Sequence, residues 1–168
     1  MWLTYTVDTY VSYDLSILGI LPRTIYGLVG IFTAPLVHGD VGHLMSNTLP
    51  LLVLGGTLFY FYTRFAYLVF FEAYFFTNIL VWLFGRPHYH IGASGLVYGL
   101  ASFLIFYGLF KRDALSIVIS SLVVLGYGGM VYGLLPMNDW ISWESHLMGA
   151  IVGLGSAIKF GIIQKRKF

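Results

Sequence analysis

Long apolar segments separated by short polar breaks dominate the pattern along the chain. Five such segments, each bounded by charged residues, proline or glycine, occupy residues 43–62, 66–84, 93–110, 114–135 and 146–163. A helix needs about 20 mostly apolar residues to cross a bilayer, and each segment is close to that length. The pattern therefore predicts an all-α fold, a polytopic membrane helix bundle.

The residues before the first of these segments follow a different pattern. Residues 1–20 carry two aspartates and are a poor independent span, so we expect the last part of a first helix that is truncated. Residues 21–42 are too apolar for a solvated loop, but two prolines and four glycines interrupt any helical pattern. We expect them to form a structured connection lying partly in the membrane interface, within a single domain over residues 1–168.

Composition agrees with a membrane location and excludes several other classes of protein. Hydrophobic residues make up 58% of the chain and charged residues only 10%, whereas about a quarter of a soluble domain is charged. The formal charge of +2 does not indicate nucleic acid as a partner, because four of the nine basic residues lie in the last ten positions, as in a membrane anchor. The chain contains no cysteine, which excludes disulfides and thiol chemistry.

The distribution of basic residues predicts the orientation of the bundle. If the helices alternate in direction, one side carries Arg64, Lys111, Arg112, Lys165, Arg166 and Lys167. We expect that side to be cytoplasmic in a plasma or inner membrane. The opposite, extracytoplasmic side carries the mixed set Arg23, Arg86, Asp40, Asp139 and Glu144. Trp140 and Trp143 are expected in the aromatic belt on this outer side.

Four polar side chains are expected at one depth, near the outer surface of the membrane. Ser94 and His146 each begin an apolar segment, and His43 and Asn47 lie at i and i+4 on one helical face. A serine hydroxyl becomes a nucleophile when a histidine takes its proton. Amide, imidazole and helix N-terminal N–H groups can stabilise the resulting oxyanion. We therefore predict a Ser94/His146 dyad without a third member, with Glu144 in the loop above the histidine.

Small residues on the two helices that carry this dyad predict close packing between them. They are Gly95, Gly99, Gly149, Ala150 and Gly153. Such packing would bring His146 to Ser94. Tyr98 lies one helical turn after Ser94, where its ring can stack on the imidazole or orient it.

Three short regions resemble the signature regions of the rhomboid family of intramembrane serine proteases, in that family's chain order. They are "HLMSN" at 43–47 followed by Gly55 and Gly56, "GASG" at 92–95 followed by Tyr98, and "HLMGAIVG" from His146. The similarity covers about residues 20–160. One departure is the Trp-Arg pair that many members carry in the first loop, where this chain has Val29 and Gly30.

The resemblance implies a six-helix rhomboid-like core in which Ser94 is the nucleophile and His146 the general base. It implies that His43, Asn47 and the backbone amide of Ser94 form the oxyanion hole. It also implies that the substrates are single-pass transmembrane proteins, cut at or just inside the membrane surface. The family uses no metal and no organic cofactor, and its members are surrounded by membrane lipids.

Some of these residues, taken alone, are typical of structural roles. Ser94 could be a helix cap or a small packing residue, and Asn47 an interhelical hydrogen-bond partner. Glu72, inside the third span, could mark a proton pathway or be a carboxyl group satisfied by neighbouring polar groups.

The other histidines raise the alternative of a metal site, since neutral imidazole is a common metal ligand. His38, His88 and His90 could join His43 in such a site. However, no HExxH motif is present, and the spacing of His88 and His90 fits an exposed loop. We expect no metal, and we expect His38 to order the first loop.

The sequence is also compatible with two other classes of function. A rhomboid-like pseudoprotease would bind transmembrane helices without cutting them, and a small transporter would use Glu72 and the histidines. No internal repeat of the kind that transporters often show is visible in the sequence. In a protease, the loop over residues 135–145 is expected to cap the site and to govern entry.

Overall fold

The computed structural model of the protein describes residues 1–10, 14–137 and 141–165, with side chains up to residue 161. Several sequence predictions concern residues outside these ranges. They are the outer-loop residues Asp139 and Trp140 and the basic tail residues Arg166 and Lys167, together with the side chain of Lys165.

Two short helices precede the long ones. Helix α1 comprises Trp2–Tyr10, and a 3-10 turn follows at Leu15–Leu18. Helix α2 comprises Gly27–Thr33 and continues into a second 3-10 turn at Ala34–Leu36. The prediction that residues 21–42 cannot be helical was therefore wrong for this stretch.

The glycines of α2 serve close packing instead of ending a helix. A Cβ on Gly27 would collide with the backbone of Leu21, and one on Gly30 with the backbone of Gly19. The first loop is thus folded tightly onto itself. It is also fixed to the helix at Thr77–Phe84, because the side chains of Asn78 and Trp82 donate hydrogen bonds of 2.9 Å to its backbone carbonyls. These bonds anchor a loop that lacks the family's Trp-Arg pair.

The remaining helices follow the five apolar segments to within three residues at each end. They are α3 (Val41–Phe61), α4 (Thr63–Phe71) joined by the π-helical turn Glu72–Phe76 to α5 (Thr77–Phe84), α6 (Ser94–Lys111), α7 (Ala114–Tyr127) with a 3-10 extension at Gly128–Leu134, and α8 (Trp143–Lys165). The described residues form no β-strand, so the all-α prediction is confirmed.

Membrane crossing follows from the length and the apolar character of these helices. Within the described part of the chain, four helical segments meet both requirements: α3, α4 with α5, α6, and α7 with its extension. The protein is thus an integral, multi-pass membrane protein. Helix α8 is 23 residues long, which suffices for a fifth crossing; that crossing stays a prediction.

Helix α6 packs directly on α8 through glycine. The carbonyl oxygens of Gly95 and Gly99 occupy the places where a Cβ on Gly149 or Gly153 would stand. The two backbones are therefore in contact, as is usual where small residues meet in a membrane. Gly99 also lies against Ala73 of the π-helical turn.

The basic and the polar ends of the bundle are opposite one another. The Lys111 ammonium lies 5.8 Å from the ring centre of Tyr62, at the end of α6 near Arg64. Ser94 begins the same helix at its other end. Lys111 and Ser94 thus lie at opposite ends of α6, as expected, while the sides of the other charged residues stay predictions. Helix α8 begins at Trp143, so Glu144 lies in its first turn, and the expectation that it lies in a loop was wrong.

Glu72 of the π-helical turn is satisfied by α8. Its carboxylate accepts a hydrogen bond of 2.6 Å from Ser156 Oγ and pairs with the ammonium of Lys159. The interpretation of Glu72 as a satisfied carboxyl group is confirmed. Its lysine partner was not predicted from the sequence.

Candidate active site

The turn before Ser94 depends on one glycine. Gly92 has a φ of +99°, a value that residues other than glycine rarely adopt. Its Cα also faces the ring of His43, since a Cβ there would stand 2.5 Å from the histidine Nε2. The amide of Gly92 donates a 2.9 Å hydrogen bond to the Ala34 carbonyl. The first loop and α3 thus determine where α6 begins.

Ser94 is the first residue of α6, and its hydroxyl is directed towards His146. The Oγ lies 2.9 Å from His146 Nε2. The residue that caps α6 is Ala93, whose side chain makes no capping bond. The alternative interpretation of Ser94 as a helix cap is therefore wrong.

The tautomer of His146 follows from its second hydrogen bond. The Nδ1 atom lies 2.8 Å from the carbonyl oxygen of Gly133. Because a carbonyl only accepts, Nδ1 must carry the hydrogen in the neutral ring. The Nε2 lone pair is then left to accept the Ser94 hydroxyl proton. A backbone carbonyl thus orients this imidazole in the way that a carboxylate does in a triad.

Tyr98 fixes the plane of the imidazole. Its ring is stacked on that of His146 with a centroid separation of 4.2 Å and an interplanar angle of 7°. The phenol donates a hydrogen bond of 2.7 Å to the Met130 carbonyl. The 3-10 extension of α7 therefore supplies two carbonyl acceptors, at Met130 and Gly133. The sequence gives no sign of this, because every residue carries a carbonyl.

His43 and Asn47 lie on the first turns of α3, close to Gly92. The helix begins where the Asp40 side chain accepts a 2.8 Å hydrogen bond from the amide of His43. Asn47 is 2% exposed, and its Nδ2 donates a 3.0 Å hydrogen bond to the His43 carbonyl. An amide nitrogen carries two hydrogens, so this bond leaves one for a ligand.

A cavity of about 1000 Å³ joins these groups. Its lining includes His43, Asn47, Ser94, Tyr98, Met130 and His146. The structure therefore brings together at one cavity the four polar residues that the sequence singled out.

Two of the loop histidines are fully buried. His38 is 1% exposed, and its ring centre lies 4.9 Å from that of His43. Burial, and next the adjacent His43, lowers the pKa of His38 to about 4. His90 is also 1% exposed, so the expectation of an exposed loop was wrong for it. Burial lowers the pKa of His90 to about 4.

The grouping of His88, His90 and Glu144 could suggest a metal centre, since their ligand-capable atoms lie within 4.8 Å of one another. Both ring nitrogens of His90, however, are already hydrogen bonded, to Ser142 Oγ and to the Arg86 carbonyl. The Glu144 carboxylate pairs with Arg86. The arrangement is thus a hydrogen-bonded ion pair. The sequence did not predict it, because Glu144 was expected in a loop and no pattern pairs it with Arg86.

Comparison with known proteins agrees with this architecture. A family model described as the rhomboid domain matches residues 26–162. Uncharacterized proteins of Mycobacterium bovis and Mycobacterium tuberculosis are each 36% identical over 173 residues, which covers 94% of this chain and 69% of theirs. One of Mycobacterium leprae is 35% identical over 174 residues, with 94% and 66% covered. No solved structure matches significantly. Because the family match runs from the first loop into α8, the chain belongs to the rhomboid family.

Proposed function

We propose that the protein is an intramembrane serine endopeptidase that cleaves single-pass transmembrane proteins. The observation that carries this proposal is the 2.9 Å hydrogen bond between Ser94 Oγ and His146 Nε2. Membership of the rhomboid family supports the reaction class. The cavity supports it further, because hydrolysis inside a bilayer needs a recess that can hold water.

In this proposal His146 is the general base and then the general acid. As Ser94 Oγ bonds to the carbonyl carbon of the substrate, its proton passes to His146 Nε2. When the C–N bond breaks, that proton moves to the leaving nitrogen and an acyl-enzyme remains. A water molecule then attacks the acyl carbon with the same base, which releases the second product and restores the serine hydroxyl.

The oxyanion that forms in each attack needs donors at the same wall of the cavity. The amide of Ser94 lacks an acceptor within its own helix because it belongs to the first turn. We assign it to the oxyanion together with the side chains of Asn47 and His43. Removal of one such donor typically slows the reaction by about 10²- to 10³-fold.

The proposal includes the setting of the site. The whole chain acts as one rhomboid-like domain, its site opens on the extracytoplasmic side, and its substrates enter from the surrounding lipid. The ends of the bundle support this orientation, because Arg64 and Lys111 lie opposite the site and basic residues favour the cytoplasm. No metal or organic cofactor takes part.

Cleavage of a single-pass transmembrane substrate in liposomes tests the proposal. We expect Ser94→Ala and His146→Ala each to lose at least about 10³-fold in cleavage rate. Ser102→Ala is the matched control, since this serine lies on the same helix and its hydroxyl bonds the Ala150 carbonyl. The control should cleave like the wild type, with or without a chelator.

Three results contradict the proposal. Cleavage that survives Ser94→Ala excludes this nucleophile, and cleavage that a chelator stops excludes the metal-free mechanism. A wild-type protein that binds transmembrane helices and cuts none of them is a pseudoprotease.

A further inference from the structure

An ion pair joins the segment that leads to Ser94 with the helix that carries His146. Arg86 lies in the loop after α5, and Glu144 lies in the first turn of α8. The Nε of Arg86 pairs with Glu144 Oε1, while its Nη2 lies 3.3 Å from Oε2. The backbone amide of Arg86 donates a further bond of 3.3 Å to Oε1. One residue thus engages both oxygens of the carboxylate.

The pair is held rigidly because its carboxylate is buried and its half-buried guanidinium has several further contacts. Glu144 is 2% exposed, so its charge is compensated by protein groups and not by water. Arg86 Nη2 donates a 3.2 Å bond to the Ile141 carbonyl, and the guanidinium lies 5.8 Å from the ring centre of Trp143. A planar guanidinium with this many partners holds one geometry.

A second bridge runs beside the ion pair. His90 Nε2 donates a 3.0 Å hydrogen bond to the Arg86 carbonyl, and its Nδ1 therefore accepts from Ser142 Oγ. His90 lies four residues before Ser94, and Ser142 lies four residues before His146. Both bridges therefore connect the two chain segments immediately before the two reacting residues.

The position of these bridges suggests what they do. The glycine contacts between α6 and α8 run from Gly95 to Gly153, but Ser94 and His146 themselves lie in the first turns, where helix ends fray. Resting on the proposed function, we propose that Arg86 and Glu144 are positioning residues. They hold the first turns of α6 and α8 together so that Ser94 Oγ stays within reach of His146 Nε2.

The protein contains a matched comparison for this pair. Glu72 and Lys159 also form an ion pair that ties α8 to another segment. Lys159 lies 13 residues after His146, which is about 20 Å along the helix. Loss of the Glu72–Lys159 pair removes a contact between α8 and another segment but leaves the first turn of α8 unchanged. A general stabilising role and a positioning role therefore predict different results for the two pairs.

The experiment compares the rate at which a fluorophosphonate probe labels the detergent-solubilised protein below its melting temperature. This small probe reports the reactivity of the serine without requiring a transmembrane substrate to dock. We expect Glu144→Gln and Arg86→Gln to be labelled about 10- to 100-fold more slowly, because small displacements of reacting groups cost about that much. The double variant should be no slower than either single variant, since the two residues act as one unit.

Two further measurements separate positioning from stability. Glu72→Gln should lower the melting temperature but be labelled at the wild-type rate. In substrate cleavage, Glu144→Gln should lower kcat and leave KM unchanged. If Glu144→Gln does not fold, Arg86→Lys takes its place; it keeps the charge but not the planar fork, and about tenfold slower labelling is expected.

The inference and the proposed function fail in different ways. A wild type that labels, with Arg86 and Glu144 variants that label as fast, overturns the positioning role alone. Equal slowing by Glu72→Gln also overturns it, because the effect is then one of general stability. A wild type that the probe does not label contradicts the proposed function and, with it, the inference.

Discussion

Among single residues, Gly92 is restricted both by its backbone conformation and by its neighbour. Its φ of +99° and the facing ring of His43 both exclude a side chain. We expect Gly92→Ala to reduce substrate cleavage about tenfold or more, because the new Cβ must displace the imidazole assigned to the oxyanion and move the start of α6. Gly126→Ala is the control, since nothing lies within 4 Å of a Cβ at that position. A Gly92→Ala protein as active as the control contradicts this role.

Tyr98 makes two contacts that substitution can separate. Tyr98→Phe keeps the ring stacked on His146 but loses the hydrogen bond to the Met130 carbonyl, and should lower stability by about 1 kcal/mol. Its probe labelling should stay within a few-fold of the wild type. Tyr98→Leu removes the stacking as well and should be labelled far more slowly. Labelling of the two variants at the same rate would show that the ring does not orient the imidazole.

At the scale of helices, the contact between α6 and α8 depends on the absence of side chains. A Cβ on Gly149 would overlap the carbonyl of Gly95, whereas Gly155 of the same helix has open space around it. Gly149→Ala is therefore expected to lower the melting temperature and to slow labelling by separating the two helices. Gly155→Ala should leave both unchanged or raise stability slightly, because alanine favours a helix. A Gly155→Ala protein that melts lower and labels more slowly than Gly149→Ala would contradict this packing of α6 on α8.

The helices show which parts of the fold the sequence can predict. Apolar length predicted α3 to α8 because the bilayer itself sets that length. The same reasoning failed at α2, where Gly27 and Gly30 allow close backbone contact within a helix and do not end it. It also misplaced Glu144, since a charge before an apolar segment looks solvated until a partner such as Arg86 is known.

The candidate site also has parts that the sequence predicts and parts that it does not. Ser94, His146, His43 and Asn47 could be found from residue type and spacing, because their chemistry needs those side chains at the ends of helices. The carbonyls of Met130 and Gly133, which bond Tyr98 and His146, could not. They depend on where the 3-10 extension of α7 lies, and no side chain marks that position.

For the molecule as a whole, two buried histidines predict how stability depends on pH. His38 and His90 have a pKa lowered to about 4, chiefly by burial, against about 6.5 in an unfolded chain. The unfolded chain therefore takes up protons first as the pH falls. The contribution of these two neutral histidines to the free energy of unfolding is fully present above about pH 6.5 and is lost towards pH 4.

The melting temperature in detergent measures this dependence. At pH 5.5 each histidine is expected to contribute about 1 kcal/mol less than at pH 7.5, so the melting temperature should fall. The double variant His38→Gln, His90→Gln should show a smaller fall between the same two pH values. A wild type that melts at one temperature throughout this range contradicts the burial of neutral histidines.

The proposed function depends above all on the activation of Ser94 by His146. The most direct test is mass-spectrometric mapping of the residue that a fluorophosphonate probe modifies in the wild type and in His146→Ala. A single phosphonylated residue, Ser94, is expected in the wild type, and almost no modification without the histidine. Modification of another residue, or undiminished labelling of Ser94 in His146→Ala, would contradict it.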